Sequence, residues 1–192
     1  MAEPLKVGLA GLGTVGSSVI RLLDEGRDKL LARCGRGIEV VALNARSRAK
    51  KRDFDVKKFR WVADPVALAG DPEIDVLVEV MGGAGDPAKR TVETALAAGK
   101  AVVTANKALL AAHGQKLAAL AEKNRVALNF EASVAGGIPI VKTLREGLNG
   151  ASFNRIYGIL NGTCNYMLTR MEQERMAYAD CLRDAQALGY AE

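Results

Sequence analysis

The chain has 192 residues, 49% of them hydrophobic and 26% charged, with a formal net charge of +5, a balance that excludes a disordered or fibrous polymer. No apolar run approaches the roughly 18 residues of a membrane span, and the opening MAEPLKVGLAG enters a strand-like pattern without signal-peptide architecture. A cytoplasmic protein with no membrane partner is expected, long enough for one full-sized domain and a remainder.

Short apolar, β-branched runs alternate with helix-period stretches. Strands are expected at 5–11, 38–44, weakly at 59–63, then at 74–82, 101–105 and 126–132. Helices are expected at 14–32, 65–70, 87–98 and 107–124, with Asp86-Pro87 a good start signal and Gly99 a good stop. Near-continuous hydrophobicity in the strands implies burial on both faces, so the predicted fold is α/β, a doubly wound and mostly parallel sheet.

After about residue 133 the texture changes. Residues 133–148 read as a glycine-rich turn feeding a helix, 151–160 as one strand, and 162–188 as mostly helical with a weak point near Arg175–Ala177. One strand and two helices do not close a core, so residues 1–133 are expected to form a nucleotide-binding domain and 134–192 the beginning of a second, α+β domain. Three widely spaced cysteines, Cys34, Cys164 and Cys181, match neither a disulfide framework nor a zinc pattern and are expected to be free thiols.

Directly after the first strand, at the mouth of a helix, stands Gly11-Leu12-Gly13-Thr14-Val15-Gly16. In a G-x-G-x-x-G turn the first glycine permits the tight turn, the second lets a pyrophosphate approach the backbone, and the third lets helix pack on strand. Free N–H groups and the helix dipole then face the anion. A steric glycine turn is the alternative. The strand before it and the helix after it favour a Rossmann dinucleotide site with these six residues as cofactor contacts.

The second strand ends Asn44-Ala45-Arg46-Ser47-Arg48, inside a basic run, 46–60, that holds eight Lys/Arg against Asp53 and Asp55. An acidic residue at this strand end selects NAD, whereas a nearby arginine accommodates the 2′-phosphate of NADP. Asn44 does not repel phosphate and Arg46 and Arg48 can fork onto it, which favours NADP, with NAD less preferred. A solvated basic loop and a nucleic-acid surface are the competing readings. No aromatic stacking platform or helix-turn-helix accompanies the run, so no nucleic-acid partner is expected.

Ligands of a doubly wound sheet sit beyond the carboxyl ends of its strands. Gly82 and Gly83 after the fourth strand leave room for a flat ring. Thr104, Asn106 and Lys107 after the fifth flank the same crevice. There a lysine could hold a substrate oxygen, or shuttle a proton if burial lowered its pKa.

With these segments GLGTVG (11–16), DVLVEVMGG (75–83), TANKALLA (104–111), NFEASVAGGIPI (129–140), GILNGTCNYMLT (158–169) and LGYAE (188–192), the chain resembles the homoserine dehydrogenases. That family interconverts L-aspartate 4-semialdehyde and L-homoserine with NAD(P)H, in threonine, methionine and isoleucine biosynthesis. The resemblance implies that Lys107 is catalytic, close to the nicotinamide and to the substrate. It implies a monovalent cation, expected to be sodium, on Glu131, Val134, Gly136 and Ile138, a set of hard oxygen ligands in a glycine-rich turn. It places Gly189 near the cofactor, Glu192 on the substrate's amino group, and Asn161, Gly162 and Thr163 beside the substrate.

Family members continue past this point with an aspartate and a second lysine, the proton donor to the carbonyl oxygen. The resemblance therefore implies an amino-terminal portion, truncated within the substrate and dimerisation domain, that binds cofactor without turnover. A homodimer is implied for a full-length protein. The alternative from another class is a non-catalytic NADP-binding module that senses redox state.

Two other residues invite roles. Cys164 could be a thiol nucleophile, but needs a base, and the single histidine, His113, has no evident route to it. Cys164 is expected to pack as a small residue at a helix start and His113 to sit on a helix surface. Asn161-Gly162-Thr163 fits a glycosylation sequon, which a cytosolic chain never presents to that machinery.

Overall fold

The computed structural model describes residues 2–159 and 161–191. The chain divides into two compact units, Met1–Gly136 and Gly137–Glu192. In the first, six strands form one sheet: β1 (Leu5–Ala10), β2 (Ile38–Asn44), β3 (Arg60–Trp61), β4 (Val76–Glu79), β5 (Ala101–Thr104) and β6 (Leu128–Asn129). Their order is β3-β2-β1-β4-β5-β6 and every pairing is parallel. The order reverses between β1 and β4, the switch point where a crevice opens beyond the strand ends.

Adjacent residues of β1 show why the strands are apolar on both faces. Leu9 packs with Leu12, Ile20 and Leu43 on one side, whereas Ala10 joins Leu68, Leu77, Val92, Leu96 and Leu109 on the other. A strand turns successive side chains to opposite faces, so helices must cover both. Leu9, Leu43, Leu77 and Leu96 have no solvent exposure. Each such side chain contributes about 1.5–3 kcal/mol through burial.

The covering helices are α1 (Thr14–Glu25), α2 (Arg27–Cys34), α3 (Pro65–Gly70), α4 (Ala88–Ala97) and α5 (Lys107–Asn124). The single helix expected over 14–32 is two, because Gly26 ends α1 and begins α2: its N–H donates to Leu22 O at 3.0 Å and its carbonyl accepts from Leu30 N–H at 2.9 Å. Side-chain caps set other starts. The Asp64 carboxylate accepts from Val66 N–H and the Asn106 amide oxygen accepts from Leu109 N–H. Gly99, at φ +74°, ends α4 and turns the chain into β5.

The second unit contains a short helical segment, α6 (Ile140–Lys142), that widens into a π-type turn over Thr143–Gly147, followed by α7 (Gly162–Gln173) and α8 (Tyr178–Ala187). Met167, Cys181 and Ala185 form its small core. The weak point expected near Arg175–Ala177 is the break between α7 and α8, with Arg175 at φ +54°. The strand expected over 151–160 is not formed: residues 151–159 carry no regular structure, and Leu160 lies outside the described residues. A strand exists by pairing, and among the described residues this unit offers no second strand. Among the described residues no helix is long and apolar enough to cross a membrane.

Candidate functional site

The carboxyl ends of β1, β2 and β4 open onto a cleft of about 540 Å³ in the first unit, with Gly11, Gly13, Asn44, Arg46, Lys50 and Gly82 among its walls. Its floor is the glycine turn, where the three glycines answer to different constraints. Gly11 has φ +105°, and a Cβ there would meet Val80 O at 2.6 Å. A Cβ on Gly16 would overlap the Gly11 carbonyl and press on the Val80 side chain. At Gly13 a Cβ would touch nothing within 4 Å. The second glycine thus faces open space, on the side where a ligand's phosphates would approach.

Gly13 is the N-cap of α1, and no side chain caps that helix. Its first-turn N–H groups at Thr14, Val15 and Gly16 have the positive end of the helix dipole behind them and no acidic residue beside them. Such an end suits a phosphate. Leu12 is buried against Ile20 and Leu43 and also lines the cleft, fixing the turn from below.

Asn44, buried at the end of β2, donates from its amide nitrogen to Val62 O at 2.8 Å and Ala63 O at 3.0 Å. Carbonyls only accept, so these two bonds fix the amide and turn its Oδ1 the other way. Its main-chain carbonyl accepts from Gly11 N–H at 2.9 Å, joining the glycine turn to the end of β2. Beyond it Arg46, Ser47, Lys50 and Arg52 line the cleft. The Arg52 guanidinium donates to Ser47 O at 2.9 Å and Lys50 O at 2.8 Å, closing the loop on itself. Arg48 does not line the cleft; its guanidinium carbon lies 6.0 Å from the centre of the Trp61 ring. Lys50 and Arg52 were legible only as members of the basic run, because sequence does not show which way a loop arginine turns.

On the far side, Gly82 and Gly83 have φ of +79° and +85°. The Gly83 carbonyl accepts from Asn106 Nδ2 at 2.8 Å, which binds the turn after β4 to the N-cap of α5. Lys107 is the first residue of α5 and is exposed, so the burial on which a proton-shuttling role was conditional is not present in this unit. Thr104 and Asn106 are buried beneath it around Glu79, a carboxylate to which the sequence pattern alone assigned no task.

The remaining candidates stand elsewhere. Glu131 begins a 3-10 turn, Glu131–Ser133; Val134 follows it, and Gly136 closes the first unit while Ile138 belongs to the second. Among the described residues no group of three or more His, Cys, Asp or Glu gathers to hold a metal. Any ion on this segment would therefore rest on carbonyl oxygens and one carboxylate, as the expected set supposes. The left-handed Ala135 (φ +46°) and Gly137 (φ +85°) change the direction of the chain there. In the second unit the Asn161 side chain caps α7 by accepting from Cys164 N–H at 2.7 Å, with Gly162 the first residue of that helix. Thr163 Oγ1 donates to Tyr190 O, and Gly189, at φ +75°, ends α8. Glu192 lies outside the described residues. Cys164 is exposed, Cys181 is buried, and His113 is half-buried in the middle of α5.

A six-stranded parallel Rossmann sheet whose uncapped first helix faces a basic cleft defines an NAD(P)-binding domain. The homoserine dehydrogenase NAD-binding domain family matches residues 11–131, and the homoserine dehydrogenase family matches residues 139–192. The chain belongs to the homoserine dehydrogenase family. It is 45% identical over 190 residues to the homoserine dehydrogenase of Neisseria gonorrhoeae, covering 99% of this chain and 43% of that protein. A crystal structure of a homoserine dehydrogenase from Thiobacillus denitrificans superposes with a TM-score of 0.82 at 44% identity, over 98% of this chain and 43% of the other. A hyperthermophilic archaeal homoserine dehydrogenase mutant in complex with NADPH superposes with a TM-score of 0.78 at 27% identity, over 100% and 63%. The chain spans less than half the length of the curated relatives it matches.

Proposed function

We propose that this chain is the cofactor-binding part of an oxidoreductase that interconverts L-homoserine and L-aspartate 4-semialdehyde, with NADP(H) preferred over NAD(H). The observation that carries the reading is the pairing of an uncapped α1 start with a cleft walled by Arg46 and Lys50. When bound, the dinucleotide supplies the hydride acceptor or donor. The α1 N–H groups hold its pyrophosphate, and Asn44 Oδ1 accepts from a ribose hydroxyl. Arg46 forks onto the 2′-phosphate, with Lys50 as a second, point-like charge.

Gly82 and Gly83 make room for the nicotinamide, and Lys107 meets the substrate oxygen as it gains negative charge. Glu131 and the carbonyls of Val134, Gly136 and Ile138 hold a monovalent cation, sodium by the chemistry of the set. Asn161, Gly162, Thr163 and Glu192 serve the substrate and Gly189 the cofactor, and a full-length protein forms a homodimer.

Equilibrium titration of this chain with NADPH and NADH tests the cofactor half of the proposal. NADPH is expected to bind the more tightly, and equal affinities would remove the 2′-phosphate role. Steady-state oxidation of L-homoserine tests the rest. The assay uses this chain and a fusion to the part of the Neisseria relative that it does not cover. Turnover in the fusion is expected; binding without turnover in both would favour a redox-sensing module.

A further inference from the structure

Glu79 ends β4 with no solvent exposure, in a strand otherwise made of valine and leucine. Its Oε2 accepts from Thr104 Oγ1 at 2.7 Å. Its Oε1 accepts from Met81 N–H at 2.8 Å and faces Asn106 Nδ2 at 3.4 Å. The donors come from the turn after β4, the end of β5 and the N-cap of α5. Asn106 carries the connection further: its Nδ2 donates to Gly83 O, its Oδ1 accepts from Leu109 N–H at 3.1 Å, and its own N–H donates to Thr104 Oγ1 at 3.0 Å. Ser133 Oγ donates to Thr104 O at 3.0 Å, bringing the turn after β6 into the same network.

A carboxylate removed from water is costly unless its lone pairs are filled, and an apolar residue would pack between these strands without that cost. Stability therefore does not explain the residue. What the network does is extend the β4–β5 pairing past the strand ends, fixing against one another the Met81–Gly83 turn and the first turn of α5. Such shared buried networks hold a site in a single arrangement.

We infer that Glu79 is a positioning residue for the nicotinamide end of the cleft, setting the Gly82–Gly83 turn and the Asn106 cap so that the ring and Lys107 meet in one geometry. The inference rests on the dinucleotide assignment made above. It predicts an asymmetry along the ligand. The Arg46 end lies on β2 and its loop, outside the network, and does not depend on Glu79.

The test titrates the wild-type chain and Glu79→Gln with NADPH and with 2′,5′-ADP, which carries the adenosine end alone, and records the emission of bound NADPH. Glutamine keeps the size but turns an N–H toward one of the donors, leaving that pair donor against donor. NADPH affinity is expected to fall about tenfold while 2′,5′-ADP affinity stays within about twofold. The emission enhancement on binding should fall as well. Equal losses for both ligands would reduce Glu79 to a structural post and overturn the inference, as would unchanged NADPH affinity. A wild-type chain that binds neither ligand would overturn the dinucleotide assignment and this inference with it. If Glu79→Gln does not fold, Thr104→Val removes one donor and must show the same asymmetry, smaller in size.

Discussion

The guanidinium carbon of Arg48 lies 6.0 Å from the centre of the Trp61 ring, while Arg46, two residues earlier, lines the cleft beyond β2. The two arginines of one short loop therefore stand in different places: one packs against β3, the other walls the cleft. Arg46→Ala is expected to lower NADPH affinity about tenfold and NADH affinity by less than about twofold. Arg48→Ala should lower thermal stability by about 0.5–1 kcal/mol and change the two affinities alike. Fluorescence titration with both cofactors, beside a melting curve for each variant, separates these outcomes.

The glycine turn gives a second contrast, between a glycine required by the fold and one that faces open space. Gly16→Ala places a methyl group on the Gly11 carbonyl, so a loss of about 2–4 kcal/mol of stability is expected. Gly13→Ala meets nothing in the protein and costs about 1 kcal/mol or less as a cap substitution. Its NADPH affinity should nevertheless fall by about tenfold or more, because the space it fills is the ligand's. Chemical denaturation and cofactor titration on both variants check the pair. A Gly13→Ala chain that binds NADPH normally would place the pyrophosphate elsewhere.

The sheet was legible because its strands carry long apolar runs and its helices carry breakers at their ends. All six strands and the limits of α3 and α5 follow from those patterns. By pattern Gly26 is an interior helix residue, since one glycine in a periodic stretch is common and only the geometry shows that two helices meet there. The cleft was half visible. The G-x-G-x-x-G turn announces itself by spacing, but Glu79 is one carboxylate in an apolar run and gains meaning only when β5 and α5 bring Thr104 and Asn106 to it. Long-range hydrogen bonding of this kind has no local signature.

The segment 151–159 shows the converse error, a correct local pattern without a partner. Its aromatic and β-branched Phe153, Ile156, Tyr157 and Ile159 suit a strand, yet all are exposed, Tyr157 by 89% and Ile159 by 76%. Contiguous apolar surface of that kind binds hydrophobic dyes and draws other chains. The wild-type chain is expected to enhance the emission of an anilinonaphthalene sulfonate dye. Ile156→Lys combined with Ile159→Lys should reduce that emission by about half or more while leaving helical circular dichroism unchanged. Unchanged emission would place the exposed surface in another part of the chain.

A last prediction concerns acid stability. Burial raises the Asp71 carboxyl, but the Glu73 N–H at 2.9 Å, the Arg60 guanidinium and the Lys100 ammonium together hold it below the ordinary carboxylate value. A carboxyl depressed in the folded state contributes stability that is present above its unfolded value and lost as pH falls through its folded value. Lys100 behaves oppositely. Burial lowers its ammonium more than Asp71 and Asp75 raise it, so the fold gains stability as pH rises from the lowered value toward that of free lysine. Asp71→Asn should therefore flatten the part of the acid unfolding limb that lies below the ordinary carboxylate range, and cost about 1 kcal/mol at neutral pH because Arg60 is partly exposed. Lys100→Met should leave most of that acid limb in place and remove the gain at alkaline pH. Melting temperatures of the three chains across the pH range decide the matter. An acid limb that keeps its wild-type steepness in Asp71→Asn would assign the acid sensitivity to another carboxylate.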